Sequence, residues 1–196
     1  MNRTYCSFVL LAALVVAAIA PDASAAALGT LEVNAGYSKD NNYGSYSPNG
    51  TLGGGMAFGA GYYWGLAPML SCGIDVALEN LGSSDFTNPL LGNGQVSAKA
   101  FRINPALRIN LGAPVGPSVF GQVGAGLYNV KSETRFGAGG RTDESQAKFG
   151  ANFGAGVGFP VGPKARMTVF GQGHTVATDR ASTLYFGVKA GLGVSI

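Results

Sequence analysis

His174 is the single histidine in this 196-residue chain. Its imidazole is the side chain best suited to general acid–base work at neutral pH. It is followed by Thr175, Val176, Ala177, Thr178 and Asp179, so hydroxyls and an acid lie close in sequence. A hydroxyl nucleophile needs its base within hydrogen-bond reach, and this spacing assures no such contact. His174 therefore reads as an interior or rim histidine rather than a catalytic one. A second set of reactive types is larger: Glu32, Asp75, Glu79, Arg102, Arg108, Lys148, Arg166 and Lys189. What three acids and five bases offer together is ion pairing, because an unpaired buried ion is very costly. The glycine-rich run from Gly150 to Gly158 completes neither a dinucleotide nor a phosphate-loop motif. No cofactor or metal is implied.

The elements that would position these groups follow from alternation. From Thr183 to Ile196, Leu184, Phe186, Val188, Ala190, Leu192, Val194 and Ile196 share one face. Tyr185, Gly187, Lys189, Gly191, Gly193 and Ser195 take the other. This period-two run is long for a strand in a soluble domain. The split recurs upstream. One parity carries Leu31/Val33, Met56/Phe58/Tyr62/Trp64, Leu70/Cys72/Ile74/Val76/Leu78 and Phe101/Ile103/Leu107/Ile109. It continues through Val119/Val123/Leu127, Phe149/Phe153/Val157/Phe159 and Met167/Val169. The charged set and many glycines occupy the opposite parity. A cation on a lipid-facing midplane costs roughly 2–4 kcal/mol, so an uncharged face is what a bilayer enforces.

Eight strands are expected at about 29–37, 52–65, 69–81, 95–111, 118–130, 148–159, 165–177 and 183–196. Short Pro/Gly segments at 65–68, 112–117 and 160–163 alternate with longer polar stretches at 38–50, 82–94, 131–147 and 178–182. Pro114 to Pro117 and Pro160 to Pro163 share the wording Pro-Val-Gly-Pro, each followed by Val-Phe-Gly-Gln at 119–122 and 169–172. A repeat of this length suggests a two-strand unit recurring around the fold. The expected fold is all-β: a transmembrane, eight-stranded, antiparallel up-and-down barrel. Its interior is just wide enough for side chains, and glycines facing Tyr63, Phe120, Tyr128, Phe170 and Tyr185 make room for them. A filled interior is therefore expected before a pore. Pro105, inside strand four, should cause a bulge or local distortion. Strand seven, with Gly171, Gly173 and Thr175 on its outer parity, is open to a one-residue slip.

The N-terminus supplies an address. Arg3, the apolar run Phe8 to Ala20 and the small-residue site Ala23-Ser24-Ala25 form the three-part pattern of a signal peptide over residues 1–25. Thirteen apolar residues fall short of the ~20 needed for a spanning helix. Residues 26–196 then form one barrel domain, whose only cysteine is Cys72, so no internal disulfide can form. Charged residues are only 12% of the chain and the formal charge is +3, too mild to argue for nucleic acid.

These features together resemble the small eight-stranded outer-membrane β-barrel proteins of Gram-negative bacteria, of the OmpA/OmpX type. The terminal strand resembles that family's assembly signal at Lys189, Gly191, Val194 and Ile196; the family usually ends in an aromatic residue where this chain has Ile196. The resemblance implies localisation in the cell outer membrane, short turns in the periplasm and four longer loops outside. It implies outer-membrane lipid and lipopolysaccharide, the assembly machinery and a possible loop-bound surface ligand as partners. The expected role is structural or interactive and non-enzymatic. The alternatives are a narrow small-solute channel and a lipopolysaccharide-modifying enzyme; the deacylases of that kind carry a Ser two residues after their His, where this chain has Val176.

Overall fold

The computed structural model describes residues 29–42, 52–67, 69–88, 92–112, 116–137, 139–177 and 182–196. The expected signal peptide lies outside the described residues, as do most of the first polar stretch and nearly all of the last. Eight antiparallel strands run in chain order: β1 (Thr30–Asn42), β2 (Gly55–Ala67), β3 (Leu70–Asn88), β4 (Gly92–Gly112), β5 (Ser118–Phe136), β6 (Arg141–Pro160), β7 (Ala165–Ala177) and β8 (Ser182–Ser195). Each pairs with the next, and β1 pairs with β8 from Thr30↔Ser195 to Asn42↔Leu184, so the barrel closes without an edge. Closure satisfies the backbone donors and acceptors that lipid cannot.

The parity split holds across the apolar belt on every strand. The outward face is hydrocarbon: Leu127 is 65% exposed, Phe149 63% and Val188 64%. A water-soluble fold would not leave such a belt uncovered. Tyr62 and Trp64 lie beside the first short turn with ring centroids 6.0 Å apart, while Tyr63 between them turns inward. Tyr37, Phe101, Phe149 and Phe186 face outward toward the other end.

Strand seven keeps the expected register. Gly173 pairs with Phe153 on β6 and Phe186 on β8, and those two rings close over it. The poor outer face is thus covered by its neighbours. At Pro105 the β4–β5 ladder lapses between Ile103↔Leu127 and Ala106↔Gly124, but the register is the same on both sides. The missing N–H interrupts the ladder without inserting a residue, so the distortion is local and not a bulge.

Two expected loops are largely strand. The stretch 82–94 extends β3 and β4, and 131–147 extends β5 and β6, with the pairing reaching Asn88↔Gly92 and Arg135↔Arg141. These strands have 19 to 21 residues, against 13 or 14 for β1, β2, β7 and β8. A tilted strand crosses lipid in about 9–11 residues, so one side of the barrel stands well above the apolar belt. The extensions are polar because water faces them, and a hydrogen-bonded ladder does not require an apolar face. A bulge between Asn80 and Gly82 resets the alternation on β3, and Gly82, at φ 98°, sits hard against Gly54.

The β1–β8 seam is sterically tight. A side chain at Gly36 would overlap the Val188 carbonyl and the Lys189 Cα. Gly36→Val should therefore lower stability by about 1–3 kcal/mol, as overpacking does, or prevent closure. Urea unfolding in detergent micelles, followed by heat-modifiable gel migration, checks this.

Candidate functional site

The interior is the only place in the described strands where charged side chains are enclosed, and all eight strands contribute to it. Nearest the short turns, Arg166 on β7 donates to the Gly116 and Gly158 carbonyls and to the Ser118 hydroxyl. Above it, Arg108 on β4 reaches Glu32 on β1 at 2.8 Å. Its Nε and Nη2 donate to Gln122 Oε1 at 3.1 and 2.9 Å. The guanidinium carbon lies 3.9 Å from the Tyr63 ring centroid and 4.5 Å from that of Phe120. Arg108 is thus held by a carboxylate, an amide and two ring faces, which answers its desolvation. Gly61 and Gly73 are what admit Tyr63: a Cβ at either would lie 2.7 or 2.6 Å from its ring.

In the middle, Arg102 Nη1 donates to Asp75 Oδ2 at 2.7 Å and Nη2 to Gln172 Oε1 at 3.1 Å. Glu79 accepts from both Lys189 and Tyr185 across the barrel, with Arg102 Nε 3.5 Å away. Asn104 and Asn152 donate to the Tyr128 hydroxyl at 2.7 and 3.4 Å. Two donors occupy that oxygen, so its own proton goes to His174 Nδ1, 3.2 Å away. The imidazole proton is thereby assigned to Nε2, which faces Glu79 Oε1 at 3.8 Å, beyond hydrogen-bond length. The ring also stacks on Tyr185, with centroids 4.4 Å apart and planes 10° apart. Toward the long-loop end, Leu52, Leu81, Val96, Ala98, Ala100, Val130 and Val176 form an apolar cap on this layer.

Six of the eight expected ions are brought together: Glu32 with Arg108, Asp75 with Arg102, and Glu79 with Lys189. The other two lie toward the rims. Arg166 closes the short-turn end on carbonyls, and Lys148 is half-buried on the inward parity toward the long hairpins. His174 is fully buried inside the wall, away from the lipid-facing surface. Cys72 is free and half-buried on the outward parity. Of the terminal-strand set, Lys189 and Gly191 face inward, whereas Val194 and Ile196 face outward.

Sequence reasoning missed Gln122, Gln172, Asn104, Asn152 and Asp40 as interior groups. A signal for two of them was present. The repeated Val-Phe-Gly-Gln puts Gln122 against Arg108 and Gln172 against Arg102. It also turns Phe120 and Phe170 inward, 6.0 Å apart. The repeat encodes one glutamine acceptor for each buried arginine.

With this geometry established, comparison with known proteins settles the class. The model of the outer membrane protein beta-barrel domain family matches residues 8–194. The chain belongs to that family. Its barrel is accordingly a membrane-spanning one, and its place is the cell outer membrane. Among solved structures it is similar to Neisserial surface protein A, at 14% identity and a TM-score of 0.61, covering 88% of this chain and all of that one (100%). It is also similar to the attachment invasion locus protein Ail of Yersinia pestis, at 16% identity and a TM-score of 0.53, covering 84% and 98%. At these identities the likeness is one of fold. A comparison with curated protein sequences gives no significant match.

Outside the belt, the β5–β6 hairpin carries a charge quartet. Arg141 bridges Glu133 at 3.4 Å and Asp143 at 2.9 Å, while Arg135 also holds Glu133. The hydrogen bond from Arg141 holds the exposed Asp143 carboxyl below its ordinary range. A depressed folded pKa means that this contact contributes above the unfolded pKa and fades as pH falls through the folded one. Arg141→Gln should raise the Asp143 midpoint toward the ordinary value in an NMR titration; an unmoved midpoint would contradict the pairing.

Removing one partner of a buried pair strands the others. Glu79→Gln leaves Lys189 and Arg102 facing an uncharged amide and should cost about 3–5 kcal/mol in urea unfolding. Adding Lys189→Met should recover part of that loss, so the double variant is more stable than the two single losses sum to. Simple additivity would count against the coupling.

Proposed function

We propose that this protein is a structural and surface-interacting component of the outer membrane, a sealed barrel that carries its polar hairpins and loops outside. The observation that carries this reading is the interior: side chains from all eight strands meet across it in hydrogen-bonded and ion-paired layers, under an apolar cap. Such an interior stabilises a scaffold and gives transport little room. The groups left to act on the surroundings are on the tall β3–β4 and β5–β6 hairpins and the loops beside them. Binding on a rigid scaffold is usually placed there. The names of the two similar barrels, a surface protein and an attachment invasion locus protein, accord with this reading.

On the same reading, residues 1–25 act as the export signal. Lys189, Gly191, Val194 and Ile196 serve the assembly machinery, with Lys189 acting again as the buried partner of Glu79 in the folded barrel. The role is non-catalytic. His174, enclosed between Tyr128 and Tyr185, faces neither the lipid nor a substrate path from the leaflet.

The test is conductance of the full chain in planar bilayers, on a sample whose heat-modifiable migration shows a folded barrel. The expected result is no steady single-channel current. A stable current that shifts on Arg102→Ala or Glu79→Ala would replace this reading with the small-solute channel. Altered lipid A in cells overexpressing the wild-type chain, but not His174→Ala, would replace it with the enzyme.

A further inference from the structure

Four carboxamides lie inside the barrel between the Arg108 layer and the Glu79 layer. Gln122 on β5 and Gln172 on β7 both pair with Gly154, on the strand between them. On β4, Asn104 is the inward residue next to Arg102 on the side of Arg108, and on β6 Asn152 is the one next to Gly154. All four are buried. Each has one end engaged and the other without a partner. The glutamines use their oxygens, Gln122 on Arg108 and Tyr63 and Gln172 on Arg102, while Nε2 of both is unpartnered. A guanidinium only donates, so these contacts fix which end of each glutamine is the oxygen. The asparagines use their nitrogens, both on the Tyr128 hydroxyl, while Oδ1 of both is unpartnered. Two amide donors and two amide acceptors are thus enclosed together. A buried polar group left unmatched bears its full desolvation penalty.

The wall opposite β5 supplies the space. Asn34 of β1 points inward, one inward position above Glu32 of the Arg108 layer and one below Gly36, which pairs with Lys189. Its strand neighbours at this level are Gly59 and Gly191, neither with a side chain. Glu32 and Ser38, inward on the same strand, are fully buried, yet Asn34 keeps accessible surface. An enclosed side chain keeps such surface only where a water-sized space lies against it. Asn34 Oδ1 is unpartnered as well.

The set of groups selects the occupant. A cation would suit the asparagine oxygens but would face two amide N–H groups beside Arg102 and Arg108. An anion would suit the glutamines but would meet those oxygens with Asp75 and Glu79 close by. A small neutral molecule that both donates and accepts matches all four, as buried water does with two to four polar partners. We infer that this level of the barrel is a binding site for water, with Gln122 and Gln172 as donors and Asn104 and Asn152 as acceptors. The bound water links the glutamine of Arg108 to the glutamine of Arg102, and so joins the two ion layers. This goes beyond the structural role: the interior holds a ligand without offering a path to solutes.

The experiment uses the full chain folded in detergent micelles, deuterated and carrying nitrogen-15 in its side-chain amides. Cross-relaxation from water to these amides is recorded in the laboratory and rotating frames, which separates resident water from fast-moving water and from proton exchange. Gln122 and Gln172 should show the resident-water signature, and the exposed Gln95 should not. Asn104→Leu with Asn152→Leu removes both acceptors and should abolish the signature at Gln172 while leaving Gln95 unchanged. Asn104→Leu alone, which disturbs packing less, should weaken it. Added sodium chloride or sodium phosphate should shift neither glutamine amide saturably. Fast-water behaviour at both glutamines in the wild type, or an undiminished signature in the asparagine variants, would overturn the site. Saturable shifts with either salt would overturn it in favour of an ion.

Discussion

An eight-stranded barrel leaves its interior no wider than the side chains that fill it. In this protein that constraint governs almost everything else. Within the apolar belt the outward face must be hydrocarbon, so the ions carried by that part of the strands are forced inward. There the ions are desolvated and must find their partners among the other inward side chains and carbonyls. Three carboxylates answer three cations, and the amide oxygens of Gln122 and Gln172 take part of each guanidinium's remaining capacity. Glycines on neighbouring strands complete the fit by giving Tyr63 and Tyr128 the space that a Cβ would take. Charge, hydrogen bonding and volume are solved as one problem.

The solution is layered and asymmetric. Toward the short turns the interior is held by arginines on carbonyl and carboxylate oxygens. In the middle it is held by the Glu79 cluster, and toward the long hairpins by an apolar cap. Leu52 reaches that cap because the chain before β2 docks on the β3 bulge, with Gly53 and Gly54 donating to the Ser83 and Leu81 carbonyls. The interior is thus held at three heights by three different kinds of contact. The unequal strand lengths give the barrel one tall wall, formed by β3 to β6.

Much of the fold was legible because period-two alternation is a direct record of which face meets lipid. Strand number, parity, the turn positions and the inward placement of Glu32, Asp75, Glu79, Arg102, Arg108 and Lys189 follow from it. Two kinds of information were not legible. Parity says that a residue points inward but not at what height it meets a residue from across the barrel. That depends on tilt and stagger, which set Lys189 against Glu79 and Gln172 against Arg102 and which no local pattern encodes. Beyond the belt both faces see water, so the alternation loses its apolar half. Ser83 to Asn88 and Ser132 to Phe136 then read as loop although they continue the ladder. Pro105 and Gly173 are the instructive local cases. Each looks like a fault along its own strand, and neighbouring strands absorb both.

The alternation along each strand marks the boundary between lipid and the packed interior. Single-cysteine positions along β5 from Val119 to Leu127, placed in a Cys72→Ser background and labelled with a small fluorophore, test it directly in vesicles containing brominated lipid. Quenching should alternate, strong at 119, 121, 123, 125 and 127 and weak at the even positions between them, and should fade beyond Asn129. Uniform quenching, or strong quenching at Gln122 and Gly124, would contradict the account.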